Sequence, residues 1–407
     1  MRPHVRRWWI VAALFVVTYG ISMPLAAYGV FLPVLAEAFG WSRGALSAAL
    51  SVSLLLGGVA GFFVGALADR HGPRAMLVVT VVLSGAGFAL VSAATALWQL
   101  YLFVGVMVGV GMSSFYLLSA ATIARWFETR RGLALALVLV GFNLGYISAG
   151  PLAASLITAL GWREAYALLG GGCGLLTLIA AWTVRLPRPG EASALRAALG
   201  RGASIAAAPG SAVEPGVTVR QALADSLQWY LNGAWLLLGG LTLMVSVHVV
   251  PFARDRGLSL AGASLALTAY GIGSAGGRLA SGAISDAFGT RATIGAAYVV
   301  EAAALAALLW VPSRGALLFA VALFGVGFGA SDTMVVKVIP EVFGLRAIGA
   351  IMGLLSLGWR CGAAFGPAFA GFVYDLTGSY TIPFGVAPLA VLLSWALFAL
   401  GTRHRRR

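Results

Sequence analysis

Two stretches decide the fold: GALADRHGPR at 65–74 and GAISDAFGTR at 282–291. They align without a gap. Asp69 and Asp286 stand 217 residues apart, as do Gly72 and Gly289, and Arg74 and Arg291. Gly150-Pro151 and Gly366-Pro367 repeat at nearly the same interval, 216 residues. Several matches at one offset mark an internal duplication, so the chain of 407 residues reads as two parallel repeats.

Around both stretches the sequence is apolar. The chain is 60% hydrophobic and 10% charged, with a mean hydropathy of +0.94. Soluble chains carry about 25% charged residues, and a spanning helix needs about 20 apolar ones. The runs predict helices at 8–35, 43–68, 75–94, 97–124, 131–159 and 163–185 in the first half. In the second they predict 229–253, 260–285, 291–311, 315–340, 345–373 and 380–402. The first run is too long for the apolar part of a signal peptide and has no small-residue cleavage site. The formal net charge is +14, and most of the 27 Lys and Arg fall on one side of the membrane if the N-terminus is inside. That distribution is a topology signal and sets aside a nucleic-acid partner. The lipid bilayer is the expected surrounding, in a plasma (bacterial inner) membrane, with both termini cytoplasmic.

Residues 187–217, PRPGEASALRAALGRGASIAAAPGSAVEPGV, break the apolar rhythm and read as a flexible linker. The expected division is an N-terminal bundle over 1–186, a cytoplasmic linker over 187–228 and a C-terminal bundle over 229–407. VRQALADSLQW at 219–229 suits a short interfacial helix before the seventh span. Cys173 and Cys361 both lie in spans, so neither a disulfide nor a metal site is indicated. No catalytic constellation appears, which argues against an enzyme and against a cofactor.

The paired stretches resemble the loop signature of the major facilitator superfamily, which stands between helices two and three and again between eight and nine. The resemblance implies an all-α membrane protein with twelve transmembrane helices in two six-helix pseudo-symmetric bundles. RWFETRRGLALALVLVG (125–141), HVVPFARDRG (248–257), GRLASGAISDAFG (277–289) and GPAFAGFVYDLTGSY (366–380) are similar to the monocarboxylate transporters and their oxalate/formate-exchanging relatives. In the loops, Asp69, Arg70, Arg74, Asp286 and Arg291 are the gating candidates, a charge network able to latch one conformation.

Ionisable residues inside spans are expensive and point to function. The second half holds Arg278, Glu301, Asp332 and Arg360, with His248, Arg254, Asp255 and Arg256 toward the outer end of helix seven. Arg278 leads, since a guanidinium stays charged when buried and its fork matches a carboxylate. The family resemblance also implies that this arginine is the carboxylate ligand. Its animal members carry an aspartate one turn earlier, where Ser274 stands here, and a lysine on helix one, where Leu25 follows Pro24. The proton site must then lie elsewhere: Asp255 or His248, with Asp332 as the alternative counter-ion at a depth similar to Arg278. Tyr28, Tyr116, Asn143, Leu25, Trp359, Arg360 and Cys361 complete the candidate substrate site. Arg360 is either a second anion ligand or the partner of an acid. The expected function is proton-coupled symport of a small monocarboxylate, of L-lactate or pyruvate type, by a monomer. The alternative is carboxylate exchange of the oxalate/formate type.

Overall fold

The computed structural model describes residues 3–113, 115–127, 131–187, 191, 217–311, 313–344 and 348–404. Lipid offers no partner for a free backbone amide, so apolar runs of this length fold as helices. The first half is α1 (Pro3–Phe39), α2 (Arg43–His71), α3 (Pro73–Leu90), a fourth segment α4, α5 (Arg131–Leu160) and α6 (Trp162–Thr183). The second is α7 (Ser226–Asp255), α8 (Leu260–Phe288), α9 (Thr290–Leu308), α10 (Arg314–Phe343), α11 (Ile348–Thr377) and α12 (Thr381–His404). Among the described residues, ten helices are long and apolar enough to cross a membrane. The other two helices, α8 and α11, carry Arg278 and Arg360.

The duplication is visible in the turns. Gly72 and Gly289 each end one helix and begin the next, with φ/ψ of 83°/154° and 85°/150°. Gly40 with Gly257, and Gly161 with Gly378, are two further pairs of positive-φ turn glycines, each again 217 residues apart. A side chain at these φ values would strain the backbone, so glycine is held at each reversal.

Two expectations shift. The seventh helix begins at Ser226, not 229, because the Asp225 carboxylate accepts the Leu227 amide at 2.9 Å and caps it. The interfacial helix shortens accordingly to Val219–Ala224, with the Thr218 hydroxyl accepting from the Gln221 amide. α4 is not a continuous α-helix over 97–124. It starts at Leu97–Leu100, widens to a π-helix over Tyr101–Val108, closes with Gly109–Gly111, and resumes at Phe115–Trp126. Gly109 packs directly on the Ser53 backbone of α2 there, and such wide turns accommodate a local change of register. Of the linker, 188–190 and 192–216 lie outside the described residues.

Glycines set the packing that matters for the site. Gly273 and Gly277 of α8 face the backbones of Ala322 and Val326 on α10, and Gly325 and Gly329 of α10 face Tyr270 and Ser274. Small residues four apart on both helices let the backbones touch. Between the halves, α2 packs on α11 and α5 on α8. Their hydrogen bonds and ion pairs lie from mid-depth to the side away from the chain termini. On the side of the termini, no hydrogen bond or ion pair joins the halves among the described residues. The halves are therefore tied together on the far side and, among the described residues, left untied toward the termini.

Candidate functional site

Arg278 lies on α8 and Asp332 on α10, and the glycine-lined contact brings them together. An Nη of Arg278 donates to an Asp332 carboxylate oxygen at 2.7 Å. Their side chains keep 33% and 22% of their exposure, so the pair can be reached by a solute. The guanidinium also lies 5.7 Å from the Phe328 ring centroid, and its Nε is buried with no acceptor. Tyr116 approaches from the other half, half-exposed and within electrostatic range of both Asp332 and Arg278. A cation with spare donors and one acid thus meet at mid-depth, with a phenol within electrostatic range. That arrangement can exchange one carboxylate for another.

The remaining predicted substrate residues fall into two groups. Asn143, Trp359 and Arg360 are half-buried and Cys361 is exposed. Arg360 rests against Gly57 and Gly58 of α2 and has no acidic partner among the described residues. Tyr28 and Leu25 are instead withdrawn into the core, and the Tyr28 hydroxyl donates to the Leu46 carbonyl at 2.6 Å. Neither faces the opening in this conformation.

Asp255 and His248 do not neutralise Arg278; Asp332 does. Asp255 at the far end of α7 takes both Nη groups of Arg43, at 2.7 and 2.8 Å. Arg43 starts α2 in the other half, lies 3.9 Å from the Tyr374 ring centroid and donates to the Tyr380 hydroxyl at 3.1 Å. The Arg43 and Gly44 amides donate to the Asp375 carboxylate at 2.9 and 2.8 Å, an acid placed on a helix N-terminus. One turn deeper, buried His248 joins Ser47 of α2 to the Tyr380 hydroxyl and the Pro367 carbonyl. Arg254 and Glu37 add a 3.7 Å pair. Sequence reading missed Arg43, Asp375 and Tyr380. Asp375 and Tyr380 stand in the quoted 366–380 segment, but a contact with a residue more than 330 positions earlier leaves no local signal.

The loop motif residues on the side of the termini keep to their own halves. Asp286 pairs with Lys337 at 3.4 Å, and Arg291 donates to the Thr402 carbonyl at 3.0 Å. Arg74 lies over the Trp182 ring at 4.8 Å, and Arg70 is exposed. The Asp69 side chain lies outside the described residues.

The family model described as Major Facilitator Superfamily matches residues 10–262 and 233–407. The chain belongs to the major facilitator superfamily. It is a membrane transporter and not an enzyme. This superfamily member is 29% identical to monocarboxylate transporter 11 of Homo sapiens over 417 residues, covering 97% of this chain and 81% of that one. It is 28% identical to a gallate transporter of Pseudomonas putida over 434 residues, covering 100% and 94%. The facilitator fold is shared with a bacterial homologue of the human lysosomal transporter Spinster in an inward-facing, occupied conformation. There the TM-score is 0.78 at 16% identity, covering 98% of this chain and 97% of that one.

Proposed function

We propose that this transporter carries a small monocarboxylate together with a proton by alternating access, the class to which L-lactate, pyruvate and gallate belong. The observation that carries the reading is the reachable Arg278–Asp332 pair. With the site empty, the two charges cancel. A substrate carboxylate that takes the guanidinium displaces Asp332 and leaves one negative charge too many in a low-dielectric interior. A proton on Asp332 restores neutrality, so substrate and proton move together. The names of the relatives support the carboxylate class. With the termini in the cytoplasm, as the basic residues suggest, the present conformation opens inward. The test is uptake of labelled L-lactate into proteoliposomes with and without an inward proton gradient. Accumulation that ignores the gradient removes the coupling, and no carboxylate uptake removes the reading.

Arg360, with no acidic partner among the described residues, favours a second reading. A doubly charged anion needs two cations, and Arg360 would supply the other. Oxalate–formate counterflow that needs no pH gradient, lost in Arg360→Gln, is the outcome that would support exchange.

A further inference from the structure

Glu301 is an acid that the coupling scheme above leaves without a role. It stands inside the α9 span and is fully buried. Gly327 of α10 makes room for it, since a methyl there would strike the Glu301 side chain and the Ala297 carbonyl. Gly327 and Ser331 stand two positions on from Gly325 and Gly329, about 200° round the helix, so they face away from α8. Glu301 Oε1 lies 2.6 Å from the Ser331 hydroxyl. Its Oε2 is buried with no hydrogen-bond partner among the described residues. The polar groups around it are few. On α10, Asp332 follows Ser331 and is committed to Arg278 of α8, across the helix. On α9, Tyr298 shares a 3.2 Å hydrogen bond with Ser394 of α12. Among the described residues, no cation forms an ion pair with Glu301.

A hydroxyl has one hydrogen to give. The Phe328 carbonyl, 3.1 Å from the Ser331 oxygen, can only accept it. The contact with Glu301 is then completed by a hydrogen from the carboxyl group, which requires Glu301 to be neutral. The opposite assignment sends the hydroxyl hydrogen to a carboxylate. That leaves a full charge in the membrane interior with one oxygen bare and no cation beside it, the costlier state for a buried acid. A neutral acid leaves only a carbonyl oxygen unpaired, a smaller loss. The tie matters because of what the same turn of α10 carries. Phe328 and Asp332 both meet Arg278, and Ser331 lies between them.

We infer that Glu301 keeps a resident proton throughout transport, and that its bond to Ser331 holds the 328–332 turn so that Asp332 meets Arg278. Glu301 is a positioning residue, and the proton that travels with substrate belongs to Asp332. This deepens the coupling reading above, on which it rests: of the two mid-span acids, one moves a proton and the other keeps it.

The experiment has two arms, both on the full-length protein. In the first, infrared difference spectra compare the parent with Glu301→Gln. The expected result is a protonated-carboxyl band in the parent that the variant lacks, unmoved by alkaline buffer or by L-lactate. No such band, or one that fades with alkali or L-lactate, overturns the resident proton. The second arm measures gradient-driven accumulation and counterflow of L-lactate in proteoliposomes. Glu301→Gln keeps a neutral donor for Ser331 and should retain both, with the pH profile of uptake unshifted. Glu301→Leu fills the space without the bond. It should lower accumulation about tenfold, the size of one lost buried bond, while counterflow falls less. Ser331→Ala gives the same readout if the leucine variant does not fold. A glutamine variant that loses accumulation but keeps counterflow makes Glu301 the site of the moving proton and overturns the inference. No loss in Glu301→Leu and Ser331→Ala, or equal losses in both assays, overturns the positioning role. Absence of lactate uptake by the parent removes the coupling reading and the positioning role with it, while the first arm still decides the proton.

Discussion

At the residue scale, the chemistry turns on how Arg278 shares its donors. One Nη is held by Asp332, and Nε lacks an acceptor. A carboxylate that engages two edges of a planar guanidinium gains two parallel bonds, which an ammonium cannot offer. Arg278→Lys should therefore lower kcat/KM by about tenfold or more, the size of one lost charge-assisted bond. Initial uptake rates over a substrate range check this, and a lysine variant near the parent rate would rule out a forked contact. Asp332→Asn separates the two halves of the coupling argument. The amide can still sit beside Arg278 but cannot take a proton, so counterflow should persist while gradient-driven accumulation disappears. Loss of both would make Asp332 a structural partner only. Equal variants at Asp255 should not split the two assays in this way, because that carboxylate is committed to Arg43 at the far end.

At the element scale, the site exists because α8 and α10 touch along glycines. Only that spacing lets Arg278 and Asp332 meet at 2.7 Å. Gly277→Ala puts a methyl into the Val326 backbone and should both destabilise the protein and part the ion pair. Gly276→Ala, one residue away, meets nothing within 4 Å and should be neutral or stabilising by up to about 1 kcal/mol. Melting of the two purified variants in detergent decides it; equal melting points would mean the helices are free to separate. The turn glycines were legible for a related reason. Gly72 and Gly289 sit in a repeated motif whose period can be read directly, and backbone conformation at a reversal is a local property. The break in α4 was not legible, since the apolar run over 97–124 continues through it. Arg278, Asp332 and Arg360 were legible as charges in apolar runs. Their partners were not, because pairing across 54 residues depends on the helix contact. For the same reason Tyr28 looked available from its span alone, while the Leu46 carbonyl that occupies its hydroxyl lies on α2.

At the scale of the whole molecule, alternating access requires the far side to open as the near side shuts, and Arg43 is the residue that most directly ties the far side closed. It belongs to the first half, and nearly everything that holds it belongs to the second: the Asp255 carboxylate, the Tyr380 hydroxyl, the Tyr374 ring and, through the backbone, Asp375. Arg43 is largely covered and Asp255 partly so, with 14% and 32% of their side-chain exposure left. Each charge-assisted bond is then worth more than at an open surface, about 1.5–3 kcal/mol. The two global states of a transporter differ by a few kcal/mol, so losing this set shifts their balance. Arg43→Gln keeps much of the length and some hydrogen bonding but removes the charge, and should raise the far-side-open population about tenfold, or about 1.4 kcal/mol. Asp255→Asn should shift it in the same direction. Single cysteines placed at Ser51 and Thr268, both at the closed contact, report the change through labelling from the far side by a membrane-impermeant reagent. Ligand affinity at Arg278 should change only as far as the population does, since Arg43 makes no contact with it. If labelling of both cysteines is unaltered by Arg43→Gln, the closure is carried by the apolar packing of α2 on α11 and α5 on α8 instead.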